Sequence, residues 1–232
     1  MLESAVLNWT AARAPRPVTL RGRYVTLLPL DANRDSAELW QHTRGHDELW
    51  TWMSDGPFGS EADLHRALAE KQHSSSSVFF TIFPEQSENS DLDRNTKSGH
   101  ASGYASFMRI EPAHGVVEVG NILLTPGLQR TRAATEAMFL MMRRVFEDLG
   151  YRRYEWKCNA LNEPSRKAAL RLGFTFEGIF RQHMVVKDHN RDTAWFAILD
   201  HEWPARRLAF EKWLDPTNFD QSGIQLRSLG SF

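Results

Sequence analysis

Two spacings of apolar residues alternate along this chain, one near two residues and one near 3.6, the periods of a strand and of a helix. Short runs rich in β-branched and aromatic residues predict strands at RYVTLLPL (23–30), SVFFTIF (77–83), HASGYASFMRI (100–110) and GVVEVGNILL (115–124). Further strands are predicted at RRYEWKCNA (152–160), FTFEGIFRQHMVV (174–186) and RDTAWFAIL (191–199), the last two joined by a polar turn at KDHN. Helical spacing marks DSAELWQHTR (35–44), EADLHRALAEKQ (61–72) with Ser60 as N-cap, and HEWPARRLAFEKWL (201–214). The strongest periodicity runs from 129 to 149, where Ala134, Met138, Met141, Met142, Val145, Phe146 and Leu149 form one stripe before Gly150. A shorter helix is expected from Asn162 or Glu163 to Leu172, stopped by Gly173.

Residues 1–18 end in APRP and read as an arm, 19–214 as a single domain, and 215–232 as a tail. PEQSENSDLDRNTKSG, at 84–99, is polar and without period, and is expected to be a flexible loop inserted between strands. Helices and strands alternate at both ends while strands follow one another in the centre. That order predicts an α/β (α+β) fold with a mixed, mostly antiparallel central sheet flanked by helices.

Composition narrows the function. A hydrophobic share of 41% and eight Trp can fill one sizeable core. A net charge of -1 with mixed signs and no basic stripe argues against nucleic-acid binding. Cys158 is the single cysteine, which excludes an intramolecular disulfide. It also lacks the neighbouring His or Asp that a nucleophile wants. The nine His show no metal-ligand spacing, so no metal is expected. The absence of a run of about 18 apolar residues, and of a basic then apolar leader, predicts a cytoplasmic protein without membrane contact.

LQRTRAATEAM (128–138) opens the longest helix directly after a strand, where backbone amides often hold a phosphate. It contains no glycine, and Arg130 and Arg132 stand in the turn. A phosphate cradle and an ordinary first turn with solvated arginines both fit. The nucleotide-binding G-x-x-x-x-G-K-[ST] pattern is absent.

Residues 116 to 200 resemble the GNAT superfamily of acyl-CoA-dependent N-acetyltransferases, and within it the RimJ/RimL branch. The likeness rests on EVGNILLTP leading into LQRTRAATEA, on NEPSRKAALRLGFTFEG, and on the closing hairpin FRQHMVVKDHNRDTAWFAIL. LRGRYVTLLPL and WTWMSDGPFGSEADL fit the N-terminal part more weakly. The resemblance implies acetyl-CoA as co-substrate, no metal, and central strands splayed at the acyl-CoA site. The family loop Q/R-x-x-G-x-G/A falls on Gln129, Arg132 and Ala134, with Arg130, Thr131 and Ala133 between them. Arg132 departs from the small residue that the pattern carries there; glycine is required only where φ is positive or a side chain would block the phosphate.

The preceding strand end, Ile122, Leu123 and Leu124, would lie along the cofactor, and amides near Asn121 to Leu123 would polarise the thioester carbonyl. Asn162 would hold the pantetheine arm, and Ser165 would protonate the leaving thiolate; an N-cap and a first-turn helper are the bland readings. Glu118 is the leading candidate base, against a reading as an ion-paired strand residue. His183 is the second, against a structural histidine, and Glu155 a weaker third. Trp52, Phe58 and Tyr104 would wall an acceptor pocket or plug the core. The acceptor would be a small-molecule amine or a peptide N-terminus, and the protein a monomer or homodimer. A non-catalytic acyl-CoA sensor of the same fold is the alternative.

Overall fold

The structure, a computed structural model, describes residues 9–85 and 99–232. The strands are β1 (Leu20–Arg21), β2 (Val25–Pro29), β3 (Val78–Pro84), β4 (Gly103–Glu111), β5 (Val116–Leu124), β6 (Arg153–Asn159), β7 (Thr175–Val186) and β8 (His189–Leu199). The helices are α1 (Ala32–Thr43), α2 (Glu61–Gln72), α3 (Arg132–Arg143), α4 (Glu163–Arg171) and α5 (Trp203–Leu214). They flank an eight-stranded sheet of order β1-β2-β3-β4-β5-β6-β8-β7. Every pairing is antiparallel except β5 with β6, which run parallel from Val116↔Arg153 to Val119↔Trp156. The mixed, mostly antiparallel sheet is the one the element order predicts, extended by the short edge strand β1.

Period-two alternation divides the sheet into two faces. Val117, Val119, Tyr154, Trp156, Phe196 and Ile198 pack with α3 and α5 in the main core. On the other face α1 and α2 enclose Phe79, Phe83, Tyr104 and Leu123, a second cluster that draws on β2 to β5 and on no strand beyond β5. Among the described residues the α1/α2 side of β6, β8 and β7 is therefore left without a helical cover, and Glu155 and Lys157 lie there beside Glu118 of β5.

Helix α3 is the spine of the core. Ala134, Met138, Met141, Met142 and Val145 are buried, each large apolar side chain contributing roughly 1.5–3 kcal/mol. The helix begins three residues later than the expected start at 129. Arg130 has φ +61, a left-handed conformation that no α-helix can include, and Thr131 caps the helix with its hydroxyl on the Ala134 amide at 3.1 Å. At the far end the helix widens into a π turn at Arg144–Asp148. The closing hairpin turn is also tighter than KDHN implies. Val186 pairs with His189, so only Lys187 and Asp188 turn, with φ +50 and +62, the positive values that two-residue hairpins require.

Helix α3 also holds the start of the sheet through Glu136, whose buried carboxylate accepts the backbone N–H groups of Arg23 at 2.9 Å and Tyr24 at 2.6 Å. Gly22 lets the carboxylate come this close, because a Cβ there would collide with it. Glu136→Ala is expected to lower stability by about 1–3 kcal/mol, read from a urea midpoint, because it removes a buried carboxylate that holds two part-buried amides.

Both ends of the described chain fold back. Ala12 and Arg13 donate to Pro112 O and Leu149 O at 3.0 and 2.8 Å, and Trp9 Nε1 donates to Ala113 O at 3.1 Å. In the C-terminal segment Trp213 Nε1 donates to Gln225 at 2.7 Å, and Leu229 enters the main core. Of the expected inserted loop, residues 86–98 lie outside the described residues. No helix is long and apolar enough to cross a membrane among the described residues.

Candidate active site

The parallel pairing of β5 with β6 ends at Val119↔Trp156, and beyond it the strands go to other partners. β5 stays with β4, through Tyr104↔Leu123 and Gly103↔Leu124, while β6 stays with β8, through Lys157↔Trp195 to Asn159↔Thr193. A gap opens between the ends of β5 and β6. Its cause is a bulge. Between Ser106↔Gly120 and Tyr104↔Leu123, β5 carries one residue more than β4, and Asn121 takes φ +49. Asparagine tolerates this conformation better than other non-glycine residues, and its Nδ2 donates to Ser106 Oγ at 3.1 Å.

The loop after β5 leads across the mouth of this gap into α3. Gln129 anchors it, its amide bonding Thr125 O at 3.1 Å and its side chain Leu124 O at 3.0 Å. The amides of Arg130, Arg132 and Ala133 find no acceptor among the described residues, and they sit at the positive end of a helix dipole. Arg132 is the first helical residue, so a glycine is not needed there. Its guanidinium lies 4.8 Å from the Tyr24 ring, just before β2, and 4.6 Å from the Phe219 ring of the C-terminal segment, stacked between the two. The residue with positive φ is Arg130.

A second helix start faces the gap from β6. Asn162 caps α4, its Oδ1 accepting the Ser165 amide at 3.1 Å, and Ser165 Oγ accepts Trp156 Nε1 at 3.0 Å. Cys158 lies beside Ser165, and burial pushes its thiol up, with Ser165, Arg191 and Arg166 working against that rise.

On the uncovered face the floor of the gap is charged. Glu118 is buried, its Oε2 3.0 Å from both Arg109 Nε and Lys157 Nζ. Burial raises its carboxyl above the ordinary value, opposed first by Lys157 and then by Arg109. Lys157 continues to Glu155 at 2.7 Å and stands 3.7 Å over the Trp195 ring, and Arg153 links Glu155 at 2.7 Å to Glu177 at 2.5 Å. Glu155 is thus held by two cations. Arg109 owes its position to a second bulge, in β4, where it has φ +46.

His183 reaches the same floor from a wider bulge. Between Phe180↔Thr193 and Met184↔Arg191, β7 carries two residues more than β8, and Gln182 has φ +50. His183 Nδ1 lies 2.9 Å from Thr193 Oγ1. Loss of solvent and then the charges of Arg109, Arg191 and Lys157 hold the imidazole below its ordinary value. Backbone irregularities therefore bring Arg109 and His183 within electrostatic reach of each other, as another shapes the β5 edge at Asn121.

The expected acceptor-wall residues are spread more widely. Trp52 is 37% exposed, and Phe58 packs edge-on against Trp50 at 4.9 Å. Tyr104 is 0% exposed, inside the second cluster near Lys71, and offers no surface to a ligand in this arrangement. Lys187, from the β7–β8 turn, donates to Trp50 O at 2.9 Å and ties the aromatic loop to the hairpin. Sequence reasoning missed Arg109, Lys157 and Arg191. The one available signal was parity, since Glu155 and Lys157 alternate with the core residues Tyr154, Trp156 and Cys158.

Residues 25–175 match the family model described as the acetyltransferase (GNAT) domain. A GCN5-related N-acetyltransferase from Brucella melitensis is 43% identical, with TM-score 0.88 over 97% of this chain and 98% of its own. A GNAT-family acetyltransferase structure from Chromobacterium violaceum is 38% identical, with TM-score 0.77 over 88% of this chain and 97% of its own. The ribosomal-protein-serine acetyltransferase of Escherichia coli (strain K12) is 30% identical over 107 residues, 46% of this chain. That match spans 59% of the Escherichia coli protein.

Proposed function

Because the chain belongs to the GNAT acetyltransferase family, we propose that it moves an acetyl group from acetyl-CoA to a primary amine by direct attack with both substrates bound. The observation that carries this reading is the gap between β5 and β6, flanked by the unpaired amides that open α3 and by the Asn162 cap of α4. Acetyl-CoA, when bound, supplies an acetyl group already activated as a thioester. The amides of Arg130, Arg132 and Ala133 would hold its pyrophosphate, and Asn162 its amide arm. The bulged β5 edge at Asn121 and Ile122 would turn N–H groups toward the thioester oxygen. Ser165 Oγ would donate to the departing sulfur, a modest aid since a thiol has a pKa of about 8.5. Positioning supplies most of the acceleration.

The attacking amine must be uncharged, and its proton needs an acceptor. Glu118 is a poor one, because a proton on Oε2 would disrupt its contacts with Arg109 and Lys157. His183 is unprotonated at neutral pH, since its value lies below the ordinary imidazole's. We therefore assign it the proton, with Glu118 setting the charge around it. On this assignment kcat/KM is flat through neutral pH and falls as pH drops through the depressed His183 value.

His183→Asn is expected to lose roughly 10²–10⁴-fold in turnover while acetyl-CoA affinity stays within about twofold. Glu118→Gln should move the acid limb to still lower pH, because the cations near His183 lose their counterion. A His183→Asn enzyme with unchanged turnover and pH profile would return the proton to Glu118. Thiol release from acetyl-CoA over an amine panel tests the whole reading. Tight binding without release for any amine would favour a non-catalytic acyl-CoA sensor.

A further inference from the structure

Arg191 has no role in the steps above. On β8 the alternation that turns Thr193 and Trp195 toward the charged floor turns Arg191 the same way. It lies beyond Asn159↔Thr193, the last pair with β6, and so stands at the end of the gap. Its Nε is buried without a hydrogen-bond partner, and no carboxylate lies within ion-pair distance of it among the described residues. A partly desolvated guanidinium without an anion is costly, and burial accordingly weakens its hold on its proton.

Arg109 borders the same floor with its side chain 41% exposed. Its Nε faces Glu118, and its outer nitrogens have no partner among the described residues. The charges do not cancel. Among the described residues Arg109, Arg153, Lys157 and Arg191 face Glu118, Glu155 and Glu177, so one positive charge is left over. The surplus lies at Arg191.

We propose that the acceptor carries a carboxylate close to its amine, and that Arg191, assisted by Arg109, binds that carboxylate and so aims the amine at the gap. This rests on the acetyl-transfer reading of the same gap. The anion belongs to the acceptor because CoA carries its charge in phosphates, which the α3 amides would take, while its amide arm and acetyl group are neutral. A guanidinium meets a carboxylate through two parallel N–H groups, which fixes direction as well as affinity. A free α-amino acid and a peptide with an acidic first residue both offer this chemistry.

The test is calorimetry on the CoA-loaded protein, run beside thiol release from acetyl-CoA. The probes are free amino acids against their amides, and peptide amides beginning with Asp or Glu against those beginning with Asn or Gln. Acids are expected to bind at least tenfold more tightly than their neutral partners. The free amino acids or the acidic peptides, whichever shows the larger ratio, identify the source of the carboxylate. Arg191→Gln should bring the ratio close to one, and Arg191→Lys should keep part of it. Arg109→Gln, at a more exposed site, should lower it as well and covers the case in which Arg191→Gln does not fold.

Equal binding of acids and amides by the parent protein overturns the proposal, as does a ratio untouched by both arginine variants. Loss of acetyl-CoA affinity in Arg191→Gln without change in the ratio would also overturn it. Neutral amines acetylated without carboxylate binding would remove this inference and keep the transfer reading. Carboxylate binding that depends on Arg191, with no thiol released from any amine, would do the reverse.

Discussion

Arg132→Pro is expected to weaken CoA binding by about ten- to a hundredfold, whereas Arg132→Gln leaves it within about twofold, by titration calorimetry; one charge-assisted hydrogen bond is worth about 1.5–3 kcal/mol. Residue 132 is the first of α3, where proline's φ is already helical and no intrahelical bond is lost. Thr131 has ψ 165, the extended conformation that a residue before proline requires. The proline variant therefore keeps the helix and removes one N–H from the cradle. The glutamine variant keeps the N–H and removes the guanidinium from between Tyr24 and Phe219, which should cost about 0.5–2 kcal/mol of stability. Equal CoA affinity in both variants would mean that the Arg132 amide holds no phosphate. A large loss in the glutamine variant would give the side chain that task.

Lys157→Met is expected to destabilise the protein by about 3–5 kcal/mol, a large part of the stability of an ordinary domain. The Lys157 side chain is 4% exposed and faces Glu118, Glu155 and the Trp195 ring together. Removing the ammonium leaves Glu118 with Arg109 and Glu155 with Arg153, both with less compensation for burial. The loss should shrink as pH falls from 7 toward 4.5. Glu118 already has a raised carboxyl pKa, and losing Lys157 raises it further. A folded-state value above the unfolded one costs stability at high pH, and protonation removes the cost. Urea midpoints at several pH values read both effects. Adding Glu118→Gln and Glu155→Gln should recover much of the loss at pH 7, since a neutral, packed replacement of a buried ion network is tolerated. A penalty independent of pH and unrelieved by the glutamines would place the cost in packing against Trp195.

The largest elements could be read from local pattern because their causes are local. The Met-rich stripe of α3, the Ser60 cap of α2 and the strands of the closing hairpin depend on residues a few positions apart. Errors came where one backbone angle outweighed the pattern. The helix was expected from 129, but the left-handed Arg130 delayed it to 132. His189 and Asn190, polar enough for a turn, pair in the hairpin because Lys187 and Asp188 turn alone.

The candidate site was legible only as a set of positions. Gln129, Ala134, Asn162 and Ser165 were found through motif spacing, and the structure sets them at two helix starts beside one gap. Glu118 was ranked ahead of His183 without sight of their neighbours, which come from other strands. Arg191, Arg109 and Lys157 carry no motif at all. Their relation to Glu118 arises from the pairing of β4, β5, β6 and β8.

The sequence by itself determined that this chain forms a mixed sheet with a long buried helix after a central strand, and that it resembles acetyl-CoA-dependent transferases. Periodicity, capping and motif spacing are short-range, and they survive in a linear reading. Only the tertiary structure decided that the gap opens after Val119, that Arg132 stacks between two aromatic rings, and that Glu118 lies between two cations with Arg191 unpaired among the described residues. Each of these follows from a bulge, a strand register or a folded-back segment joining residues far apart in the chain. Such a contact has an energy only after the chain has closed the loops between its partners.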